Sequence, residues 1–229
     1  MSFSYGFPPG LNCHAALKVL QQQTFRNWSG AVVEIDIRKY FNTIRHKELM
    51  ELLRKKISDR RFLRFIEVLI TALVILGEQL SSNERGCPQG SILSPILANI
   101  YLHHVVDEWF AEISQSTLHG RVDRVRYADD MVFTFQYTSE AKRFYKVLPK
   151  RLNKYGLDLH DDKSQLIPAG HAAAMKARQI GKRLPTFNFL GFTAYWGVTR
   201  RGYWRLKLTS RKDRFAAKLK GLRDFLGRT

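Results

Sequence analysis

Two adjacent carboxylates, Asp129 and Asp130, lie in the middle of the stretch RVRYADDMVFTF, between two runs of residues that favour extended chain. A third carboxylate, Asp36, stands near the end of the alternating run AVVEIDI. If these strands are neighbours in one sheet, the three side chains can meet at one edge, and carboxylate oxygens are ligands that Mg²⁺ prefers. Two ions about 3.5 to 4 Å apart can clamp the attacking and leaving oxygens of a phosphoryl transfer. The alternative is purely structural, because Asp also favours turns.

The elements that must position these carboxylates follow from the hydrophobic periodicity. Residues 31–37 alternate as a strand, and the stretch around Asp129 and Asp130 predicts a strand pair. Helices are predicted at 13–26, 46–57, 59–76, 94–112 and 139–155, with further strands at 156–167 and 187–196, a hairpin at 201–202 and a basic helix at 211–226. Because helices and strands interleave without a regular βαβ period, we expect an α+β fold with helices on one face of the sheet.

Positive charge is the strongest signal in the composition. The 229 residues carry a formal net charge of +18, and fifteen Lys or Arg residues against two Asp lie between Lys176 and the last residue. A protein this basic usually meets a polyanion. The alternative is a well-solvated surface, but such surfaces normally intersperse both signs. The composition therefore favours a nucleic acid as partner.

Several other classes of protein are disfavoured. Only two cysteines occur, Cys13 and Cys87, so neither a disulfide framework nor a zinc site is expected. The beginning of the chain, MSFSYGFPPG, has no secretory signal pattern. The longest apolar run, at 65–76, is too short to span a bilayer and predicts a buried helix. We therefore expect a reducing, cytoplasmic setting and no membrane partner.

Five blocks of sequence stand in a characteristic order: VEIDIRKYFNTI, GCPQGSILSPILANIYLHHVVDEWF, VRYADDMVF, YGLDLHDDKSQLI and FNFLGFTAYWG. They resemble the successive blocks of reverse transcriptases, and more narrowly those of the reverse transcriptase and maturase proteins encoded by bacterial group II introns. The resemblance implies an RNA-directed DNA polymerase whose palm is an antiparallel sheet with helices, with partial fingers and the first helix of a thumb. It implies a reverse transcriptase domain at 1–208 and the start of the thumb, or maturase X region, at 209–229. The implied partners are group II intron RNA as template, a DNA primer and deoxynucleoside triphosphates in a bacterial cytoplasm.

The resemblance also assigns roles to the acidic residues. In that family the aspartate of the first block and both aspartates of Y-A-D-D bind two Mg²⁺ ions, and they match Asp36, Asp129 and Asp130. The backbone carbonyl of Ile37 is expected to face a metal as well. The family carries an aromatic residue that blocks the sugar 2′-hydroxyl at the position of Phe41, which disfavours an RNA-dependent RNA polymerase. On residue type alone, Phe41 is better explained as a core aromatic.

Nucleotide and primer contacts are implied at five further positions. Gln89 of the P-Q-G block, together with Arg38 and Lys163, is expected to contact the incoming deoxynucleotide. Leu190 and Gly191 match the primer-grip turn. The structural alternatives are a capping loop for the Gln89 block and a solvated surface position for Lys163.

The resemblance has gaps at both ends. FPPGLN stands where family members usually read F-R-P-G-R-S, so two expected arginines are missing. We expect a chain truncated at the fingers and the thumb, in which the basic stretch after residue 200 leads into the thumb and tracks nucleic acid. A catalytically inactive RNA-binding remnant of such a protein is the alternative function.

Overall fold

A computed structural model describes residues 4–6, 10–26, 29–75, 85–87 and 93–211, together with residues 216, 219, 220, 223 and 224. Gln89 and most of the predicted basic helix at 211–226 therefore lie outside the described residues. Within the described part, no helix is both long enough and apolar enough to cross a membrane. Cys13 and Cys87 are both free thiols.

A four-stranded antiparallel sheet forms the centre of the fold. Its strands are β1 (Ser29–Ile35), β2 (Val122–Tyr127), β3 (Asp130–Phe135) and β4 (Gln165–Gly170). Their order is β2-β3-β1-β4, and every neighbouring pair is antiparallel. The predicted antiparallel sheet is confirmed, and its topology brings the end of β1 beside the start of β3.

Alternation along β1 divides the core into two layers. Ala31, Val33 and Ile35 point into a first, larger core, whereas Val32 points into a second core on the opposite face. This division follows from the two-residue period of a strand, which sends successive side chains to opposite faces. The sheet is therefore covered on both faces.

Helices occupy the long segments between the strands. They are α1 (Cys13–Arg26), α2 (Tyr40–Thr43), α3 (His46–Arg54), α4 (Arg60–Ile75), α5 (Ser94–Leu102), α6 (Trp109–Ser116), α7 (Thr138–Lys154) and α8 (His171–Gln179). A π-helical turn, His103–Glu108, joins α5 to α6. Helices α3 to α7 all contribute buried residues to the first core, which accounts for the predicted helical face.

A small second sheet and α1 cover the other face. The sheet has the antiparallel order β5-β6-β7, with β5 at Phe187–Phe189, β6 at Phe192–Val198 and β7 at Trp204–Ser210. Ala16, Leu17 and Leu20 lie on one stripe of α1 and are buried in the second core. Helix α1 therefore lies on the opposite face of the sheet from α3 to α7. The prediction of helices on one face did not include this helix.

The segment Ser4–Gly6 runs along the outer edge of β2. Tyr5 N donates to the carbonyl oxygen of Arg126 across 2.8 Å, and Ser4 forms a parallel bridge with the same residue. A Cβ on Gly6 would lie 2.7 Å from the backbone nitrogen of Ala128. Only glycine therefore allows the segment to approach this closely.

Some predicted boundaries differ from the structure. The strand predicted at 156–167 begins only at Gln165, and before it Leu159 forms an isolated bridge with Ile37. The helix predicted at 94–112 contains the π-helical turn and continues to Ser116. The strand predicted at 187–196 is divided into β5 and β6 by a turn at 190–191. The predicted hairpin at 201–202 is confirmed, because β6 and β7 pair on either side of it.

Candidate active site

The Asp129–Asp130 doublet lies at the tip of the hairpin between β2 and β3. Tyr127 pairs with Asp130, so Ala128 and Asp129 form a two-residue turn. Ala128 has a φ of 55°, in the left-handed region that residues with a Cβ rarely adopt. Turns of this length with positive φ match the twist of antiparallel strands. The hairpin geometry therefore holds both carboxylates at the end of the sheet.

The backbone of Asp36 is fixed by three hydrogen bonds just after β1. His160 N donates to the Asp36 carbonyl oxygen across 2.9 Å. The Ser164 hydroxyl accepts from Asp36 N at 3.1 Å and donates to the Asp36 carbonyl oxygen at 3.3 Å. The loop before β4 therefore holds the main chain that carries the Asp36 carboxylate.

The register of β1 and β3 brings Asp36 beside Asp130. Ile35 pairs with Met131, so the next position of the same register sets Asp36 opposite Asp130. Directly opposed residues of an antiparallel pair project from the same face. Both aspartates line one cavity of about 350 Å³. We name this cavity, with Asp36 and Asp130 on its wall, the acidic cavity.

Lys163 belongs to the same site. Its Nζ lies 3.2 Å from Asp36 Oδ2, and Lys163 also lines the acidic cavity. Burial raises the pKa of Asp129, and the charge of Asp36 raises it further, whereas its own backbone N–H and Lys163 act in the opposite direction. The charges of Asp36, Asp129 and Lys163 therefore act on one another.

Glu34 is a member of the acidic cavity that the sequence did not single out. Its carboxylate accepts from Gln165 Nε2 at 2.7 Å and from Asn188 N at 3.2 Å. Burial raises the pKa of Glu34 to about 7, and the charges of Asp130 and Asp36 add to the rise, although both hydrogen bonds lower it. Its position two residues before Asp36, on the same face of β1, was the available signal.

The predicted primer-grip residues form the turn between β5 and β6. Phe189 pairs with Phe192, so Leu190 and Gly191 make a two-residue turn, with φ values of 51° and 83°. Positive φ at both positions defines a type I′ turn, which normally selects Asn or Gly at the first position. Leu190 instead packs against the second core. Both residues line the acidic cavity, as do residues of β1.

Other predicted residues lie outside the lining of the acidic cavity. Ile37 is buried in the first core, and Phe41 packs against that core with its ring centroid 5.5 Å from the ring of Tyr40. Arg38 Nη2 lies 3.9 Å from Asp161 Oδ2 on the surface. Asp129 influences the site through its charge without lining the cavity.

A buried ionic network lies beneath the hairpin. Arg126 donates to Asp107 Oδ2 through Nη2 at 2.6 Å, to Asn99 Oδ1 at 2.6 Å and to the carbonyl oxygen of Ala128 at 3.1 Å. Arg124 Nε lies 3.3 Å from Asp107 Oδ1. Although burial raises the pKa of Asp107, a hydrogen bond from His103 and the charge of Arg126 hold it below its usual value. Asp107 belongs to the π-helical turn, so this turn places the carboxylate beneath the hairpin.

The donors present fit a divalent cation only in part. Among the described residues, no three His, Cys, Asp or Glu side chains are already grouped to hold a metal ion. Mg²⁺, however, is usually held by one or two carboxylates together with water and substrate phosphates. Asp36 and Asp130 supply two carboxylates on one face, and the approach of Lys163 to Asp36 marks a position that attracts positive charge. The residues therefore fit an ion that is completed by its substrate.

Comparisons with known proteins agree with this geometry. The family model for "Reverse transcriptase (RNA-dependent DNA polymerase)" matches residues 1–194. The chain is 36% identical over 150 residues to the "Uncharacterized 91 kDa protein in cob intron" of Schizosaccharomyces pombe, covering 64% of this chain and 17% of that protein. It is 40% identical over 104 residues to the "Group II intron-encoded protein LtrA" of Lactococcus lactis subsp. cremoris, covering 44% and 17%. The chain thus spans less than a fifth of the length of these relatives.

A solved structure shares the fold. The apo telomerase of Candida tropicalis, truncated from its C-terminal domain, superposes with a TM-score of 0.59 at 14% identity, over 91% of this chain and 41% of that one. The predicted resemblance to group II intron-encoded reverse transcriptases is confirmed by the sequence relatives. With its antiparallel sheet, its acidic cavity and a family match across 194 residues, this chain belongs to the reverse transcriptase (RNA-dependent DNA polymerase) family.

Proposed function

We propose that this chain is the catalytic part of an RNA-directed DNA polymerase, which adds deoxynucleotides to the 3′-end of a DNA primer on an RNA template. One observation carries the proposal. Asp36, Asp130, Lys163 and the Leu190–Gly191 turn come from four distant parts of the sequence, yet they line one cavity. Carboxylates for a metal, a lysine for phosphate and a tight turn for the primer are the groups that phosphoryl transfer needs.

The chain's own residues have separate tasks in this proposal. Lys163 leaves Asp36 and pairs with the triphosphate as a point charge. The Leu190–Gly191 turn presents its backbone to the primer end, and Phe41 excludes the ribose 2′-hydroxyl. Two Mg²⁺ ions held by Asp36, Asp129, Asp130 and the carbonyl of Ile37 would lower the pKa of the primer hydroxyl and neutralise the leaving pyrophosphate.

We further assign residues 1–208 to the reverse transcriptase domain and residues 209–229 to the start of the thumb. Group II intron RNA is the proposed template, in keeping with the relatives named after such introns. The proposed setting is the cytoplasm of a bacterium.

Primer extension tests the polymerase proposal. The purified chain is given a poly(rA) template, an oligo(dT) primer, labelled dTTP and Mg²⁺. Asp36→Asn and Asp130→Asn keep the side-chain shape and remove the charge, so each should reduce incorporation by roughly a thousandfold or more. Glu112→Gln, which removes one carboxylate from the exposed surface of α6, is the matched control and should retain full incorporation.

A non-catalytic RNA-binding protein is the second candidate, favoured by the net charge of +18. It predicts salt-sensitive RNA binding that Asp36→Asn does not weaken, together with no incorporation by the unsubstituted chain. Incorporation that depends on Asp36 would exclude it. Binding and extension measured on the same preparations therefore separate the two functions.

A further inference from the structure

A second cavity lies at the far end of the small sheet. It has a volume of about 430 Å³ and is formed by the turn between β6 and β7, the start of β7 and the end of α1. Its lining residues are Phe25, Thr199, Arg200, Arg201, Tyr203 and Arg205. We name it the arginine–aromatic groove.

Two aromatic rings of the groove are open to solvent. Tyr203 is 62% exposed and Phe25 is 46% exposed, whereas most of the rings that the structure describes are buried or half-buried. The Arg205 guanidinium lies 4.7 Å from the centroid of the Phe25 ring. Exposed rings beside a guanidinium offer flat faces on which a nucleobase can stack, and every base has such a face.

The charges of the groove are all positive. Arg200, Arg201 and Arg205 are exposed, and no carboxylate pairs with any of them among the residues that the structure describes. Three guanidinium groups around one groove attract an anion, and Arg suits phosphate because its donors form a fork. The groove therefore combines phosphate-binding and base-stacking groups.

The groove is separate from the acidic cavity. β6 runs from Phe192, directly after the Leu190–Gly191 turn, to Val198, directly before the groove. Six steps along a strand span about 20 Å. A polymer long enough to reach from one site to the other can occupy both, but a single nucleotide cannot.

We propose that the arginine–aromatic groove is an auxiliary site for single-stranded nucleic acid, in which Arg200 and Arg201 bind phosphates and an unpaired base stacks on Tyr203. An acidic protein could bind the arginines, but it would offer no base to stack on the exposed rings. This site goes beyond the polymerase proposal, because single-stranded nucleic acid would bind there without a metal ion or a deoxynucleoside triphosphate. Binding can therefore be measured in EDTA, where loss of catalysis has no influence.

Fluorescence anisotropy with a labelled 12-nucleotide oligo(A) tests the charge contribution. The double variant Arg200→Gln/Arg201→Gln should bind roughly tenfold more weakly, and the slope of log K against log salt should become shallower by about 1.4, or about 0.7 for each lost phosphate contact. The matched control is Lys142→Gln/Arg143→Gln, which removes two exposed charges from α7 on the opposite face of the central sheet. An equal loss in the control pair would overturn the site.

A base analogue tests the stacking. An oligonucleotide that carries 2-aminopurine should lose fluorescence on binding, and Tyr203→Leu should abolish the quenching and weaken binding about tenfold, whereas Tyr203→Phe keeps both. Parallel ribose and deoxyribose oligonucleotides distinguish RNA from DNA as the occupant. The proposal fails if Tyr203→Leu quenches like the unsubstituted chain, or if poly-glutamate of matched charge competes as well as the oligonucleotide.

Discussion

Arg126 donates to Asp107 across 2.6 Å, and both side chains are almost wholly buried. The same guanidinium donates to the carbonyl oxygen of Ala128 in the turn that carries Asp129. The pair thus joins the π-helical turn to the tip of the β2–β3 hairpin. Its geometry supports the position of the acidic residues.

Removal of the buried carboxylate should strongly destabilise the chain. Asp107→Asn leaves Arg124 and Arg126 buried without their counter-charge, and we expect the free energy of unfolding to fall by about 3 to 5 kcal/mol. Urea denaturation measures the loss. Glu108→Gln is the control, since this half-exposed neighbour pairs with His104 on the surface and should cost less than about 1 kcal/mol. Equal losses would show that Asp107 has no special role.

Lys163 should matter for nucleotide binding and little for stability. It is 60% exposed, so its ion pair with Asp36 adds little to the free energy of unfolding. Lys163→Gln is expected to raise KM for dTTP about tenfold while kcat changes less, because a contact to the triphosphate is present before the chemical step. Steady-state extension measures both constants. Lys154→Gln, at the exposed end of α7, should leave KM unchanged.

Phe41 should set the preference for deoxynucleotides if it contacts the sugar when the nucleotide is bound. Phe41→Ala should increase the ratio of ribonucleotide to deoxynucleotide incorporation by roughly tenfold or more, since the ring no longer collides with the 2′-hydroxyl. Parallel extensions with UTP and dTTP give the ratio. Because Phe41 also packs against the first core, Phe41→Leu serves as a variant with most of the packing retained. An unchanged sugar preference in both variants would assign Phe41 to the core alone.

Glycine at position 128 should relieve the strain of the positive φ in this turn. Left-handed φ costs a residue with a Cβ about 1 to 2 kcal/mol, and glycine recovers this at a smaller entropic cost in the unfolded chain. We expect Ala128→Gly to raise the free energy of unfolding by roughly 0.5 to 1 kcal/mol. Ala111→Gly, within α6, should have the opposite sign, with a loss of about 1 kcal/mol. Thermal denaturation of the two variants compares them directly.

The sequence was most informative where a local pattern determines the structure. Strand β1 alternates between Val33 and Ile35 on one face and Val32 and Glu34 on the other, and this two-residue period made the strand predictable. The predicted strand also placed Asp36 near its end. The order of the five blocks then predicted which distant segments meet, and Lys163 lies in the acidic cavity accordingly.

Features that depend on tertiary packing were not accessible from the sequence. The π-helical turn has the same apolar spacing as an ordinary helix, so nothing in the pattern separated α5 from α6. Arginine is rarely buried unless it is paired, and the distant Asp107 supplies the partner that allows the burial of Arg126. Leu190 was predicted inside a strand at 187–196, because a residue with a Cβ rarely adopts a positive φ, yet it lies in a turn and packs against the second core.

The short segment Ser4–Gly6 has a consequence for solubility. β2 is the outermost strand of the central sheet, and an uncovered outer strand offers free backbone donors and acceptors to another polypeptide. The carbonyl oxygen of Arg126 already accepts a hydrogen bond from Tyr5 N, so it is not available for such pairing. These few residues therefore protect the sheet against self-association, and a chain without them would be open to intermolecular strand addition beside the Asp129–Asp130 hairpin.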